Sequence, residues 1–284
     1  MRRSLAPLTI LLASAGCGGH TAAPSAAGAP APVAAARPAG DPASLHYGAN
    51  STGRYRFEQT LHVTQDVMGN VTEVDGTTLM LITAAVATAD AGNLSGSFTV
   101  DSVAGTSSIP GGAEAIAGSR GKTWRTVFTP LGRSVAFTPP DTDAVTSQTG
   151  ELFREFLLTL PASLTPGTAW VDTIRQTPSQ PGLTIRSQSI RQHQVVGWEL
   201  HDGVRALKIA TIGAITISGE GEAQGNQIQM SGTGTSVAER FLSAVGVFLG
   251  STVRDSTALN INVVSAGLEV PVRQVRRSTT TRLP

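Results

Sequence analysis

Apolar and polar residues alternate along most of this chain with the period of a β-strand. In residues 54–64, Tyr55, Phe57, Leu61 and Val63 fall on one face, and Arg54, Arg56, Glu58, Thr60 and His62 on the other. Side chains two apart share a face of a strand, so this pattern predicts a strand with one buried side. Asp75-Gly76 predicts a turn or bulge, and 77–86 is a continuous apolar run that suits a strand covered on both faces. Residues 96–103 predict a third strand, and 124–129 with 134–137 predict a hairpin around Leu131-Gly132. Pro139-Pro140 then interrupts the pattern. In 151–160 the period lengthens: Leu152, Phe153, Phe156, Leu157 and Leu160 share a helical face, and Pro161 ends it. Core packing is the expected work of that face.

The second half reads as a longer meander. Strands are predicted over 169–177, 183–198, 206–218, 227–231, 237–244, 247–264 and 268–283, with turns at Pro181-Gly182, Asp202-Gly203, 219–221 and Gly246. Many strands with tight turns and one helix near 150–160 predict a mainly β protein, a large antiparallel meander forming a half-barrel, barrel or sandwich. Two related β halves, 54–138 and 168–284, would be joined through the helix. Two stretches depart from clean alternation. Residues 184–194 are polar on both sets except Ile185 and Ile190, and 219–235 are polar and rich in glycine. They predict edges beyond the core or walls wetted on both sides, which counts against an apolar concavity running the length of the sheet.

Upstream of residue 54 the pattern disappears. Residues 18–51 are mostly Ala, Pro, Gly and Ser, with too little to bury to offset the entropy of ordering. This predicts a disordered spacer over 17–53, spanning roughly 30 Å as a flexible coil and up to about 100 Å when its prolines extend it. Ahead of it, Arg2-Arg3 form a short basic region, 5–13 a short apolar one, and Ser14-Ala15-Gly16 precede Cys17. An apolar stretch of about 10 residues is too short to span a bilayer, which takes about 20, and reads as a signal peptide over 1–16.

Ser14-Ala15-Gly16-Cys17 resembles the lipobox of bacterial lipoproteins, although that consensus prefers Leu where Ser14 stands. The resemblance implies that Cys17 is the lipidation site, carrying a diacylglycerol thioether and an acylated amine, and that the chain is held to a membrane of the bacterial envelope. Two or three acyl chains meet the requirement for stable anchoring. Gly18, not Asp, follows the cysteine, which by the sorting rule of the class implies the outer membrane. The succession of leader, lipobox, tether, meander and helix is also similar to the periplasmic lipoproteins with a LolA/LppX-like half-barrel. The segment 160–170 (LPASLTPGTAW) resembles the LP…pG-x-x-W motif of uncharacterised β-rich lipoproteins. That likeness implies a concave sheet able to cradle an apolar ligand, with the helix as a lid.

Composition narrows the rest. The chain of 284 residues is 14% charged with a formal net charge of +1. Loss of 1–16 removes Arg2 and Arg3 and leaves 19 basic against 20 acidic residues. A general attraction to nucleic acid or anionic lipid has no support in that balance, and no nucleic-acid partner is expected. Cys17 is the only cysteine, so no internal disulfide, cysteine-based zinc cluster or redox pair can form. His20, His46, His62, His193 and His201 show none of the HxH, HxxxH or HExxH spacings, so neither a metal nor another cofactor is expected. His193 and His201 read as exposed strand and turn residues. Gly92-Asn93-Leu94-Ser95-Gly96 lacks the spacing of a nucleophile elbow, and Gly121-Lys122-Thr123 has Ile116 where a phosphate loop needs glycine. Asp141/Asp143 and Glu220/Glu222 read as solvated turn carboxylates. Arg273, Arg276, Arg277 and Arg282 form the one basic cluster, read as edge-strand protection or as a contact with an anionic envelope component. The expectation is a noncatalytic, membrane-anchored envelope lipoprotein with a structural or protein-interaction role. The rival is a carrier or binder of lipid or another apolar ligand.

Overall fold

The period-two segments form long strands, described here in a computed structural model covering residues 41–284 except 109–111, 155, 177–178, 181 and 224. The leader, Cys17, His20 and most of the spacer lie outside the described residues. In chain order the elements are β1 (Ser51–Val67), β2 (Asn70–Thr88), β3 (Leu94–Ser107), α1 (Gly112–Ala117), β4 (Thr123–Phe128), β5 (Ser134–Thr138) and α2 (Ala144–Arg154). They continue with β6 (Ala169–Gln176), β7 (Ser179–Gln180), β8 (Leu183–His201), β9 (Val204–Ala223), β10 (Asn226–Ser243), β11 (Phe248–Val263) and β12 (Leu268–Leu283).

All the strands belong to one antiparallel sheet of order β5-β4-β3-β2-β1-β12-β11-β10-β9-β8-β6, with β7 paired on β8. The mainly β meander expected from the pattern is therefore present, as an open curled sheet. The chain begins at the middle of the sheet, meanders outward to β5, crosses the inner face through α2, and meanders back from β6. The stretches expected as two halves are one continuous sheet, because β1 pairs with β12 from Arg54↔Leu283 to Gln65↔Val272. β5 and β6 are its two edges.

Register sorts the side chains. Tyr55, Phe57, Met80, Ile82, Phe98, Trp124 and Phe128 point inward and are buried, whereas Glu58, Thr60, Thr77 and Arg125 point outward and are exposed. The run 77–86 is buried on its inner face only: Met80 and Ile82 are covered, while Leu79 is exposed. Bulges at Leu81/Ile82, Val127/Phe128, Val195/Gly197 and Phe241/Leu242 bend the sheet locally. Gly232 allows a close approach on the inner face, since a Cβ there would lie 2.3 Å from the Leu259 side chain.

Turn chemistry placed some expected turns elsewhere. The β1–β2 hairpin turns at Met68-Gly69, both at positive φ, as a two-residue hairpin requires. Asp75-Gly76 lies within β2, and 219–221 lies within β9. Asp202-Gly203 does turn β8 into β9 with the expected positive φ at both residues.

The predicted helix is displaced. α2 ends at Arg154, and beyond it Phe156, Leu158 and Leu160 are buried at alternate positions, the period of an extended chain. Asp143 starts α2 earlier by accepting a hydrogen bond from the Thr146 amide at 2.6 Å, an N-cap arrangement. α2 and the extended run 156–164 form a strap across the inner face. Phe153 stacks on Phe98 at 5.0 Å and Phe156 packs on Phe248 at 4.8 Å. The chain also orders earlier than its composition suggests. Leu45 and Tyr47 are buried, and Asp41 pairs with Arg205 at 2.7 Å.

Tyr47 holds the strap. Its hydroxyl donates to the Leu158 carbonyl at 3.0 Å and accepts from the Leu158 amide at 2.8 Å, both buried. Burial moves its ionisation far above the ordinary tyrosine range. Tyr55, with its hydroxyl donating to the Phe248 carbonyl at 2.9 Å, is pushed up to about 12 by burial, the charge of Arg282 opposing. Replacing Tyr47 by Phe strands both backbone groups of Leu158 and is expected to cost about 2–4 kcal/mol in urea unfolding. Phe153→Ala, which empties a position at 0% exposure, is expected to cost about 3–5 kcal/mol in the same measurement.

Candidate functional site

The inner face carries two apolar zones with a polar belt between them. Under the strap lie Tyr55, Ile82, Phe98, Trp124, Leu207 and Leu242, among others. Toward the β1–β2 turn lie Ile185, Ile215, Ile228, Leu259, Ile261 and Val272, packed into one cluster as the walls curl together. Side chains in both zones are buried by protein, so the concavity is filled by the chain itself.

The belt follows from strand register. Asp172 of β6, Arg191 of β8, Gly213 of β9, Ser236 of β10, Asp255 of β11 and Arg276 of β12 are successive cross-strand partners in one row. The adjacent row contains Trp170, His193 and Thr211. Ser187, Ser189, Thr257 and Gln274 complete the belt and are buried.

Two networks run through it. Arg276 donates from Nε to Asp255 Oδ2 at 2.7 Å, and its Nη2 reaches the same oxygen. His193, fully buried, places Nδ1 2.9 Å from Thr211 Oγ1, which also accepts from Arg240 Nη1 at 3.1 Å. The Thr211 hydroxyl can donate to Nδ1 while it accepts from Arg240. His193 Nε2 lies 3.2 Å from Asp172 Oδ2, inside ion-pair range but poorly aligned for a hydrogen bond. The Trp170 ring lies against the imidazole, 5.1 Å between centroids. Trp170 Nε1 and Asp172 Oδ1 are buried without a hydrogen-bond partner among the described residues, and such atoms are ordinarily met by ordered water.

A carboxylate, an imidazole and a hydroxyl in line have the connectivity of a hydrolase triad. The enclosure differs: Thr211 is 2% exposed and its oxygen already receives a guanidinium, so a substrate has no face on which to meet it. The reading of His193 as an exposed strand residue is thus overturned. Polarity in 184–194 marked a buried belt, because the residues facing inward there are Ile185, Ser187, Ser189, Arg191 and His193, with Val195 following.

The remaining candidates separate. Lys122 bonds Asp141 at 2.9 Å, Asp143 at 2.5 Å and Thr146 Oγ1 at 2.7 Å, so the turn carboxylates and the lysine of the phosphate-loop echo together fasten the start of α2. Lys122 holds the Asp143 carboxyl well below the ordinary value of 3.8, helped by the Thr146 amide. Glu220 pairs with Arg186 at 3.4 Å on the outer face. His201 stacks on Phe241 at 3.8 Å, and His62 bonds Asp75 at 2.8 Å. The C-terminal arginines are dispersed: Arg276 points inward, Arg282 lies beside Tyr55, and Arg273 and Arg277 point outward. Among the described residues no three His, Cys, Asp or Glu side chains converge on a metal position.

No family model matches this chain, and no curated protein does. Solved structures that it matches include Neisserial surface protein A, at 7% identity and a TM-score of 0.21, covering 82% of this chain and 99% of that one. Another is a BenF-like porin from Pseudomonas fluorescens Pf-5, at 7% identity and a TM-score of 0.25, covering 83% of this chain and 100% of that one. Backbones with TM-scores this low do not superpose as wholes, so the fold rests on the chain's own strand register.

Asp255→Ala leaves a mostly buried guanidinium uncompensated and is expected to cost about 3–5 kcal/mol, whereas Asp255→Leu with Arg276→Met should come within about 1 kcal/mol of wild type or exceed it. Chemical denaturation of the three proteins distinguishes the outcomes. A lowered carboxyl pKa adds stability that is present above the unfolded value and is lost as pH falls toward the folded one. Lys122→Met should therefore be less stable than wild type at pH 7, the gap closing as pH drops below about 4.

Proposed function

We propose that this chain is an exported bacterial envelope protein, lipidated on Cys17 and tethered to the outer membrane, whose β body acts without catalysis as a structural or protein-interaction module. One observation carries the second half of that reading. The inner face, where a carrier would hold its ligand, is occupied by Phe153, Phe156, Leu158, Leu160 and Leu164 of the strap and by the belt. Contacts with anything else then fall to the outer face, where small polar residues predominate and apolar ones such as Val171, Ile212 and Val237 stand exposed.

The likeness of Ser14-Ala15-Gly16-Cys17 to a lipobox supports the first half. Growth with an alkyne-tagged palmitate should label the wild-type chain and not Cys17→Ser. The variant should also move from the membrane pellet to the soluble fraction with its melting temperature unchanged. Retention of Cys17→Ser in salt-washed membranes would remove the anchor from the account. The carrier reading has its own test: native mass spectrometry of protein purified from an envelope should give the apo mass, and a co-purifying lipid would favour the carrier.

A further inference from the structure

The two free edges of the sheet are not alike. β5 is 5 residues long, and its pairing with β4 slips at Val127/Phe128. β6, with the sequence AWVDTIRQ, runs for 8 residues in unbroken register with β8, and among the described residues no strand pairs with its other side. Natural sheets blunt such edges with proline, lysine, a bulge or shortness. β6 has none of these: its one outward charge is Arg175, and outward Val171 is 63% exposed. Its one inward charge, Asp172, already lies 3.2 Å from His193. Val195 donates from its backbone N–H to the Thr168 carbonyl at 2.9 Å, which fixes the phase of the ladder. Bonded pairs alternate in an antiparallel ladder, so Trp170, Asp172, Ile174 and Gln176 turn their backbone groups to β8. Ala169, Val171, Thr173 and Arg175 aim N–H and C=O away from it.

We propose that β6 pairs antiparallel with β6 of a second copy of this chain, joining two bodies into one two-fold sheet. The proposal deepens the protein-interaction reading above, on which it rests, by naming the partner. The occupant follows from what the edge requires, an extended strand with free backbone groups at alternate residues. Residues 18–40 of the chain are a poor match, because Pro24, Pro30, Pro32 and Pro38 lack an N–H and break them into runs shorter than the strand. The β5 edge is too short and irregular to match. A second β6 matches by symmetry, and side-chain charge then selects the register. Of the registers that bring free groups together, the two longest overlaps are centred on Asp172 and on Thr173. The first sets Asp172 against the partner's Asp172, and like charges directly opposite destabilise a pair. The second sets Thr173 against the partner's Thr173, Val171 against the partner's Arg175 and Asp172 against the partner's Ile174. No like charges meet, and the free groups of Val171, Thr173 and Arg175 close about six hydrogen bonds. The aliphatic stem of the partner's Arg175 covers Val171.

The test uses the mature chain from residue 17 with Cys17→Ser, so that no acyl chain contributes. Sedimentation velocity should show a monomer–dimer equilibrium between about 1 and 300 μM. Over the same range the amides of Val171, Thr173 and Arg175 should exchange with solvent more slowly as concentration rises. Thr173→Pro removes the central N–H and should abolish the dimer, with a melting temperature matching that of the dilute parent. Val171→Lys keeps every N–H and sets a lysine against the partner's Arg175 twice by symmetry, so dimerisation should weaken about 10-fold. Val135→Lys, at the β5 edge, should leave it within about 2-fold of the parent. A monomer at every concentration, a dimer that both β6 variants leave intact, or equal weakening by Val135→Lys would overturn the proposal. So would a foreign strand found on β6 in place of a second copy. A monomer with palmitate labelling intact would remove the two-fold pairing alone and leave the tethered module standing.

Discussion

An open sheet that curls must cover its own inner face, and most of this structure follows from that requirement. A closed barrel removes its edges by pairing them; here β5 and β6 stay apart at the two ends of the strand order. The crossing between them is where the chain supplies its own filling. α2 and residues 156–164 lay aromatic and leucine side chains into the concavity, and Tyr47 fixes both hydrogen-bonding groups of Leu158 so that extended backbone can be buried there. Gly132 lets that segment approach, since a Cβ at its φ of +85° would stand 2.3 Å from the Leu158 oxygen. The reach of β1 to β12 then makes the two meanders one sheet over which a single strap suffices.

Filling by the strap stops partway along the strands, and beyond it the walls meet each other. The belt lies at that transition. A buried Arg–Asp pair gains little net stability, because desolvation offsets most of its attraction. Its physical consequence here is specificity of register. A slip of one residue would turn Asp255 and Arg276 outward and bring Arg254 and Arg277 inward, unpaired. We read the belt as the device that makes this slip costly in a region where Gly232, Gly234 and Ser236 offer few bulky side chains to resist it.

The alternation around Tyr55 and Phe57 made β1 legible, as did Asp202-Gly203 for the β8–β9 turn, because both are local signals. The helix was misplaced for a local reason too. Phe153, Phe156 and Leu160 satisfy helical spacing, but Phe156, Leu158 and Leu160 satisfy extended spacing equally well, and packing against β1, β3 and β11 decides between them. His193 is illegible from its own segment because hydrophobicity marks the inside only where the inside is apolar. In a belt the inside is polar, and only cross-strand partners reveal it: Thr211 and Arg240 lie on other strands, 18 and 47 positions along the chain. Leu45 and Tyr47 were swallowed by the composition of the Ala/Pro-rich stretch, in which two isolated apolar residues carry no periodicity.

The same sorting explains why whole-chain charge was a poor guide to the outer face. A strand sends alternate residues to opposite sides, so Arg276 and Arg277, adjacent in sequence, have unrelated surroundings: one is neutralised by Asp255 in the interior and the other is exposed beside Arg254. A cluster of arginines in sequence is thereby divided between the two faces, while Arg254 and Arg277 of neighbouring strands are brought side by side. Position relative to the pleat, not proximity in sequence, decides what each charge meets.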